Sequence, residues 1–465
     1  VCGIFGIYAP DRDVARLTNF GLLALQHRGQ ESAGIAVSDD GQLMVLRDMG
    51  LVAQAFTEEK LRGLSGQAAI GHTRYSTTGS TMWTNAQPSV QHGSGRAVAL
   101  GHNGNLTNTT DLREGLRASG VRLRSTSDTE AIAALVAHDQ SPLEEAVAAT
   151  MRKLEGAYSI VLLSEGKLVG FRDPGGIRPL SVGRLDGDWV LASESCAFDL
   201  LGAELVRDVE PGELVVVDGD GLRSTRVLEP QGKGALCIFE FIYFARPDSH
   251  LAGVELHGAR IRMGEELAQE APVDADVVIP IPDSGTPAAI GFARASGIPY
   301  SEGLIKNRYV GRTFIQPDQA LREHGIRTKF NPLDELAGQR VVVVDDSIVR
   351  GNTTRKIVSM LFEAGAREVH LRISSPPIVA PCFYGIDMAT ERELVAATRS
   401  VDEIRDLLGA TSLAYLSLDG LERATRQPAE TVCRACLTGT YPTPLPQGGE
   451  LVKLRFEKRP RASVP

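Results

Sequence analysis

Cys2, in the opening run Val1-Cys2-Gly3-Ile4-Phe5-Gly6, is the side chain best placed to act as a nucleophile. A cysteine that becomes the first residue carries its own base. The thiol attacks, and the free α-amino group, with a pKa of about 8, accepts the proton at neutral pH. Val1 stands ahead of it. While that bond is intact the Cys2 nitrogen is an amide and no base, so the chemistry requires Val1 to be removed, either as a trimmed start residue or as the end of a short leader. The competing reading is a small buried cysteine in a first strand.

An amide hydrolase built on Cys2 also needs an oxyanion site and a grip on its substrate. Asn103 and Gly104, in Gly101-His102-Asn103-Gly104-Asn105, offer a side-chain amide and a backbone N–H side by side. Arg74, in His72-Thr73-Arg74-Tyr75-Ser76-Thr77, offers a guanidinium suited to a carboxylate. Asp128 could hold an ammonium group. A carboxylate and an ammonium are what free glutamine presents at its α-carbon.

A second centre is written in residues 341–354, VVVVDDSIVRGNTT. The apolar run reads as a strand buried on both faces. It delivers Asp345 and Asp346 to its C-terminal end, where open α/β sheets bind ligands. Ser347, Arg350, Gly351, Thr353 and Thr354 then lead into a helix, so backbone N–H groups, hydroxyls and the helix dipole make an anion site. Acids beside a phosphate cradle suit a ligand that carries sugar hydroxyls between phosphates. The plainer alternative is a strand–turn–helix with an acidic cap. Asp283, Ser284, Gly285 and Thr286 follow another apolar run; alone they are a generic turn. Residues 307–332 are basic, with Arg308, Arg312, Arg322, Arg327 and Lys329 beside Lys306. They read as a solvated loop or as a lid closing over an anion.

Six cysteines in 465 residues do not make a disulfide scaffold. Cys433 and Cys436 form a C-x-x-C pair, and Cys237 and Cys382 complete a set of four in the second half. Spacing leaves open a redox dithiol, a zinc site or a 4Fe-4S cluster. Cys196 fits no motif and is expected to be buried and structural.

These groups need elements to hold them. In the first half, short β-like runs (4–8, 67–73, 97–102, 158–164, 189–193) alternate with turns and with helical stretches at 13–25 and 128–138. Ser127 or Asp128 is the expected cap of the second helix, with Ile132, Leu135 and Val136 on one face. Residues 208–234 read as a hairpin and a connection. Together these predict a layered α+β domain over residues 1–230. The second half, 231–465, alternates buried strands (277–281, 340–344, 369–373) with helices. One helix spans 352–364, with Ile357, Val358, Leu361 and Phe362 inward and Gly365 as its stop. That is the grammar of an α/β domain with a parallel sheet. The tail after Tyr441 is expected to be irregular.

Net charge of −9, 43% hydrophobic and 23% charged residues describe a soluble globular chain and argue against a general nucleic-acid or membrane-surface binder. No apolar run is long enough to span a bilayer and no signal-peptide pattern opens the chain, so a cytoplasmic setting is expected.

The motifs also resemble known families. His27-Arg28-Gly29-Gln30-Glu31, the Arg74 motif and the Asn103 motif resemble the N-terminal-nucleophile glutamine amidotransferases. That resemblance implies that Asn103 and Gly104 form the oxyanion hole, that Arg74 and Asp128 bind glutamine's α-groups, and that Thr77 supports their pocket. It gives neither His72 nor His102 the role of general base. Residues 341–354 resemble the phosphoribosylpyrophosphate (PRPP) signature of type I phosphoribosyltransferases. Here Asp345 and Asp346 would contact ribose hydroxyls, and residues 347–354 would hold the 5′-phosphate. Asp283, Ser284, Gly285 and Thr286 would bind pyrophosphate, and Arg327 and Lys329 would reach it from the lid. Magnesium would be bound with PRPP at Ser284, Asp345 and Asp346.

In this order, and along nearly the whole chain, the two halves resemble the glutamine PRPP amidotransferases. The likeness weakens at 111–124 and in the tail. It implies a glutaminase sandwich followed by a phosphoribosyltransferase domain, with ammonia passed between two sites to make 5-phosphoribosylamine. The surroundings of Cys237 and Cys436 resemble the cluster-binding branch, in which Cys237, Cys382, Cys433 and Cys436 would be 4Fe-4S ligands. Feedback inhibition by purine nucleotides and a homotetramer are further expectations of the resemblance. Two alternatives are another glutamine-dependent sugar-phosphate aminating enzyme and a non-enzymatic PRPP-sensing regulator.

Overall fold

The computed structural model of the protein describes residues 1–75, 79–309, 326–388 and 390–445. Two antiparallel sheets are stacked in the first half. One has seven strands, in the spatial order Glu204–Asp208, Ser181–Leu185, Asp188–Ala192, Gly3–Tyr8, Ala68–Arg74, Ser32–Asp39 and Gln42–Met49. The other has six: Gly221–Arg226, Glu213–Asp218, Lys167–Arg172, Gly156–Ser164, Ala97–Leu106 and Ser89–His92. Strand side chains alternate between faces, and Gly3–Tyr8 shows what that does. Ile4 points into the core between the sheets with Ile70, Val161 and Leu168. Phe5 and Ile7 point outward and are covered by the helix Val14–Ala24 through Val14 and Leu22. Helices Asp128–His138 and Leu143–Met151 cover the second sheet in the same way. The expected layered sandwich is therefore a helix–sheet–sheet–helix stack. Ser127 caps Asp128–His138, its hydroxyl accepting from the Glu130 N–H.

The second half carries a parallel sheet of Val277–Pro280, Arg340–Asp345, Glu368–Ile373 and Ser412–Tyr415. Its second strand explains the four consecutive valines. Val342 and Val344 face one apolar cluster with Phe292 and Met263, from the helices Thr286–Ser296 and Leu256–Glu270. Val341 and Val343 face another with Ile357 and Leu361, from the helix Asn352–Glu363. Both faces are covered, so no polar residue interrupts the strand. Along Asn352–Glu363, Ile357, Val358 and Leu361 are buried as expected, but Phe362 is 37% exposed and Met360 is buried instead. At 100° per residue Phe362 lies at the margin of the stripe centred on Leu361. Gly365, at φ +92°, stops the helix.

The halves are joined through apolar packing. One cluster runs from Val1 and Ile177 through Phe241 and Tyr384 to Val342 and Val344. Leu236–Cys237 pairs in parallel with Val432–Cys433, which brings the start and the end of the second half together. Among the described residues no helix is long and apolar enough to cross a membrane.

Candidate active site

Sheet register places the first centre. Gly3 lies opposite Thr73, so Cys2 sits beside Arg74 at the strand end. The facing sheet supplies Asn103 and Gly104 from Ala97–Leu106. The Cys2 N–H donates to Asn103 Oδ1 at 3.3 Å, across 101 positions of sequence. That bond turns the amide so that Asn103 Nδ2, buried, has no partner among the described residues. A buried donor left free beside a thiol is the geometry of an oxyanion site. Gly104 has φ +149°, and a Cβ there would lie 2.1 Å from the Ala157 carbonyl oxygen, so only glycine fits. The Cys2 thiol lies 3.5 Å from the Tyr75 carbonyl oxygen.

Arg74 is buried, and its guanidinium donates to the Ser80 carbonyl at 3.1 Å and faces Glu31 at 3.5 Å. Asp128 is also buried. Its Oδ2 accepts from the Leu106 N–H at 3.2 Å, and its Oδ1 accepts from the Thr129 N–H at 2.9 Å and lies 3.6 Å from His102 Nδ1. Burial pulls the Asp128 carboxyl upward, but His102 and the two N–H groups outweigh it and hold the carboxyl below its ordinary value. His102 moves the opposite way: burial disfavours its charge, and Asp128 restores and exceeds it. His72 is pushed down to about 3, by burial first, with Arg74 and His102 adding to it, and its Nε2 lies 3.1 Å from the His102 carbonyl. It is a neutral framework residue. Thr77 lies outside the described residues.

A buried ion network behind Cys2 escaped the sequence reading. Arg28, fully buried, donates from Nε to the Cys2 carbonyl at 2.9 Å. Its two terminal nitrogens meet Glu240 at 2.7 and 3.0 Å, and one also meets Glu194. Arg178 reaches the same Glu240. Burial opposes the charge on Glu240, and the two arginines overcome it and hold the carboxyl low. Removing one member of such a group strands a buried charge, at a cost of about 3–5 kcal/mol. Arg28 lies in the run His27–Glu31, but nothing in its spacing tells of a partner more than two hundred residues away.

The second half also touches the run of Asn103, Gly104 and Asn105 directly. Asn105 Nδ2 donates to the Phe383 carbonyl at 3.1 Å. Gly385, at φ +108°, lies against Gly104 so closely that a Cβ would come within 3.2 Å of its backbone.

At the second centre the two predicted loops meet. Gly285 lies on the end of the strand Arg340–Asp345, where a Cβ would come 2.4 Å from the Val344 carbonyl oxygen. The Ser284 hydroxyl bonds to Asp346, and Ser347 Oγ donates to Asp346 Oδ2 at 2.5 Å. Burial, and then the charge of Asp346, push the Asp345 carboxyl well above the carboxylate range. Burial raises Asp346 too, against the hydroxyls of Ser284 and Ser347 and the charge of Arg260. Gly351, at φ +76°, turns the chain into the helix Asn352–Glu363, whose first turn carries Thr353 and the buried Thr354. Asp283 is exposed and ion-paired with Lys306. Arg350 is exposed and pairs with Glu393 at 2.6 Å.

Arg327 is drawn away from this group, and Lys329 directly precedes Phe330, the strand partner of Lys306. Arg327 pairs with Glu363, at the far end of the helix that begins at the loop, and Lys329 lies over the Phe330 ring at 5.5 Å. Arg312 and Arg322 lie outside the described residues.

The six cysteines are all free thiols. Cys237 and Cys433 are opposite each other in the two-strand pairing. Each thiol of Cys237, Cys382, Cys433 and Cys436 is within electrostatic range of the other three. They do not close into a single-ion site: among the described residues no group of three or more His, Cys, Asp or Glu side chains converges tightly enough to hold a metal ion. Cys196 is buried, and its thiol is pushed upward by burial and then by Glu194.

Comparison with known proteins matches both halves of the chain. A family model for the glutamine amidotransferase domain matches residues 72–199, and one for the phosphoribosyl transferase domain matches residues 256–374. The amidophosphoribosyltransferase of Mycobacterium tuberculosis (strain ATCC 25618 / H37Rv) is 52% identical, over 97% of this chain and 88% of its own length. That of Archaeoglobus fulgidus is 49% identical, over 96% of this chain and 99% of its own. The solved glutamine PRPP amidotransferase of B. subtilis, complexed with ADP and GMP, superposes with a TM-score of 0.90 at 46% identity, covering 96% of this chain and 98% of that one.

Proposed function

The chain belongs to the amidophosphoribosyltransferase family, and from that premise we propose that it moves the amide nitrogen of glutamine to C1 of PRPP through two sites, one in residues 1–230 and one in residues 231–465. The observation that carries this reading is the free Asn103 Nδ2 beside Cys2 in a chain that also ends a buried strand in Asp345, with Asp346 directly after it.

Glutamine is held at its α-carboxylate by Arg74 and at its α-amine by Asp128, with Thr77 supporting the pocket. The Cys2 thiolate attacks the side-chain amide, and Asn103 Nδ2 and the Gly104 N–H receive the oxyanion. The base is the α-amine of Cys2, which exists once the bond ahead of it is cut. Burial keeps an α-amine at this depth unprotonated at neutral pH, as at Val1, where it is pushed down to about 5. Ammonia leaves, and water cleaves the thioester to glutamate. Neutral ammonia must then cross the apolar contact between the halves, where Val1, Phe241, Tyr384 and Val344 belong to one cluster.

At the second centre Asp345 and Asp346 accept from the ribose hydroxyls. Residues Ser347, Arg350, Gly351, Thr353 and Thr354 hold the 5′-phosphate, and Asp283, Ser284, Gly285 and Thr286 hold the diphosphate. Two adjacent carboxylates raised by burial, with a hydroxyl beside them, fit a hard divalent cation. Ser284, Asp345 and Asp346 would hold magnesium with PRPP, and bound there it would neutralise charge on the leaving diphosphate. Arg327 and Lys329 serve this site if the lid closes. The four thiols of Cys237, Cys382, Cys433 and Cys436, buried or nearly so and within electrostatic range of one another, make the all-sulfur donor set of a 4Fe-4S cluster and would hold one in a structural role. Feedback by purine nucleotides, a homotetramer and a cytoplasmic setting complete the reading. An aminating synthase and a PRPP-sensing regulator are set aside by the relatives.

Glutamine hydrolysis measured alone and with PRPP tests the coupling. PRPP is expected to raise the rate about tenfold or more. Equal rates would refute a linked pair of sites.

A further inference from the structure

Arg178 is fully buried and only partly paired. Nη2 meets Glu240, while Nε and Nη1 have no hydrogen-bond partner among the described residues. Native interiors seldom leave charged donors unmet, and a buried set of them points to an acceptor that binds there. The chain path says which one. The Cys237 N–H donates to the Ile177 carbonyl at 3.0 Å, and the Ala235 N–H donates to the Gly175 carbonyl at 2.6 Å. Arg178 is therefore tethered beside the strand that carries Cys237, whose partner in register is Cys433.

We infer that Arg178 donates its two free N–H groups to sulfur atoms of the group held by Cys237, Cys382, Cys433 and Cys436, and that through Glu240 and Arg28 it ties that group to the backbone of Cys2. This rests on the cluster reading given above. Cluster sulfides and thiolates are acceptors carrying net negative charge, and hydrogen bonds to them are a principal way in which a protein tunes such a centre. The relay behind them is continuous. Glu240 accepts from Arg178 and, on both oxygens, from Arg28, and Arg28 Nε donates to the Cys2 carbonyl at 2.9 Å. No link is exposed to solvent. Arg178 is thus a positioning residue for the nucleophile, acting from the cysteine site.

The test uses the full-length protein purified without oxygen, as native chain, Arg178→Lys and Arg178→Met. Iron and sulfide content, resonance Raman Fe–S stretching frequencies, and glutamine- against ammonia-dependent synthesis are measured. Arg178→Lys keeps the buried charge beside Glu240 and is read first; ammonia-dependent synthesis reports that the fold is intact. The Fe–S stretches are expected to shift upward as donated hydrogen bonds are lost, further in Met than in Lys. Glutamine-dependent kcat is expected to fall while ammonia-dependent kcat stays. Loss of iron with ammonia-dependent synthesis intact would support the same assignment. Native stretches in either loaded variant, or equal falls with both nitrogen donors, would overturn it. Absence of iron and sulfide from the native protein would overturn the cluster reading itself, which is a separate outcome.

Discussion

Replacing Cys2 with alanine is expected to lower glutamine-dependent synthesis by about a thousandfold or more while leaving ammonia-dependent synthesis in place. The size follows from the absence of a substitute. Cys196 is buried behind Glu194, with its thiol held protonated by burial. The other four cysteines belong to the second half, in the group around Cys237 and Cys433. His102 is engaged with Asp128, and His72 is a neutral framework residue pushed down to about 3. Among the described residues nothing else near Asn103 Nδ2 can form a thioester. The selectivity follows from the separation of the centres, since on the proposed reading supplied ammonia needs only Asp345, Asp346 and their loops. The assay is product formation from PRPP with each nitrogen donor in turn. Parallel loss with both donors would show that Cys2 supports the fold rather than the chemistry.

Replacing Asp345 and Asp346 with asparagine is expected to lower kcat/KM for PRPP by about a hundredfold or more with either nitrogen donor. In the proposed site, asparagine keeps the shape but removes the charge from the bonds to the ribose hydroxyls, each worth about 1.5–3 kcal/mol. Stability should move the other way. Burial and like charge raise both carboxyls in the folded protein. A raised carboxyl binds its proton more tightly when folded, so stability is lost as pH rises above the ordinary aspartate value of 3.8. Asparagine does not ionise, so the unliganded double variant should melt higher than the native protein at pH 7. A thermal melt beside the assay checks both signs. A lower melting temperature would mean that the pair is already compensated in the unliganded fold.

Local pattern carried much of this architecture. The valine run at 341–344 reads as a doubly covered strand because no polar residue could survive on either face. Cys2, Asn103 and Asp345–Asp346 stand out because their chemistry depends on residue type and immediate neighbours. Phe362 was misplaced because it lies at the edge of a helical stripe, where one residue turns by 100°. Arg28, Arg178 and Glu240 were illegible for a deeper reason. A single charged residue in sequence looks solvated, and only the meeting of two domains shows that it is buried and matched. Gly385 is similar: its need for φ +108° and its approach to Gly104 belong to the interface and not to any local motif. The thiols of Cys237, Cys382, Cys433 and Cys436 could be grouped by type, but their mutual spacing could not be read.

The account turns on a thiol and an α-amine carried by one residue. Treating the active protein with a diazoketone analogue of glutamine and mapping the label by peptide mass spectrometry tests this directly. The label is expected on the sulfur of Cys2, in a peptide that begins at Cys2 with a free amine. A fully glutamine-active protein whose peptide still carries Val1 ahead of Cys2, or whose label sits elsewhere, would contradict it.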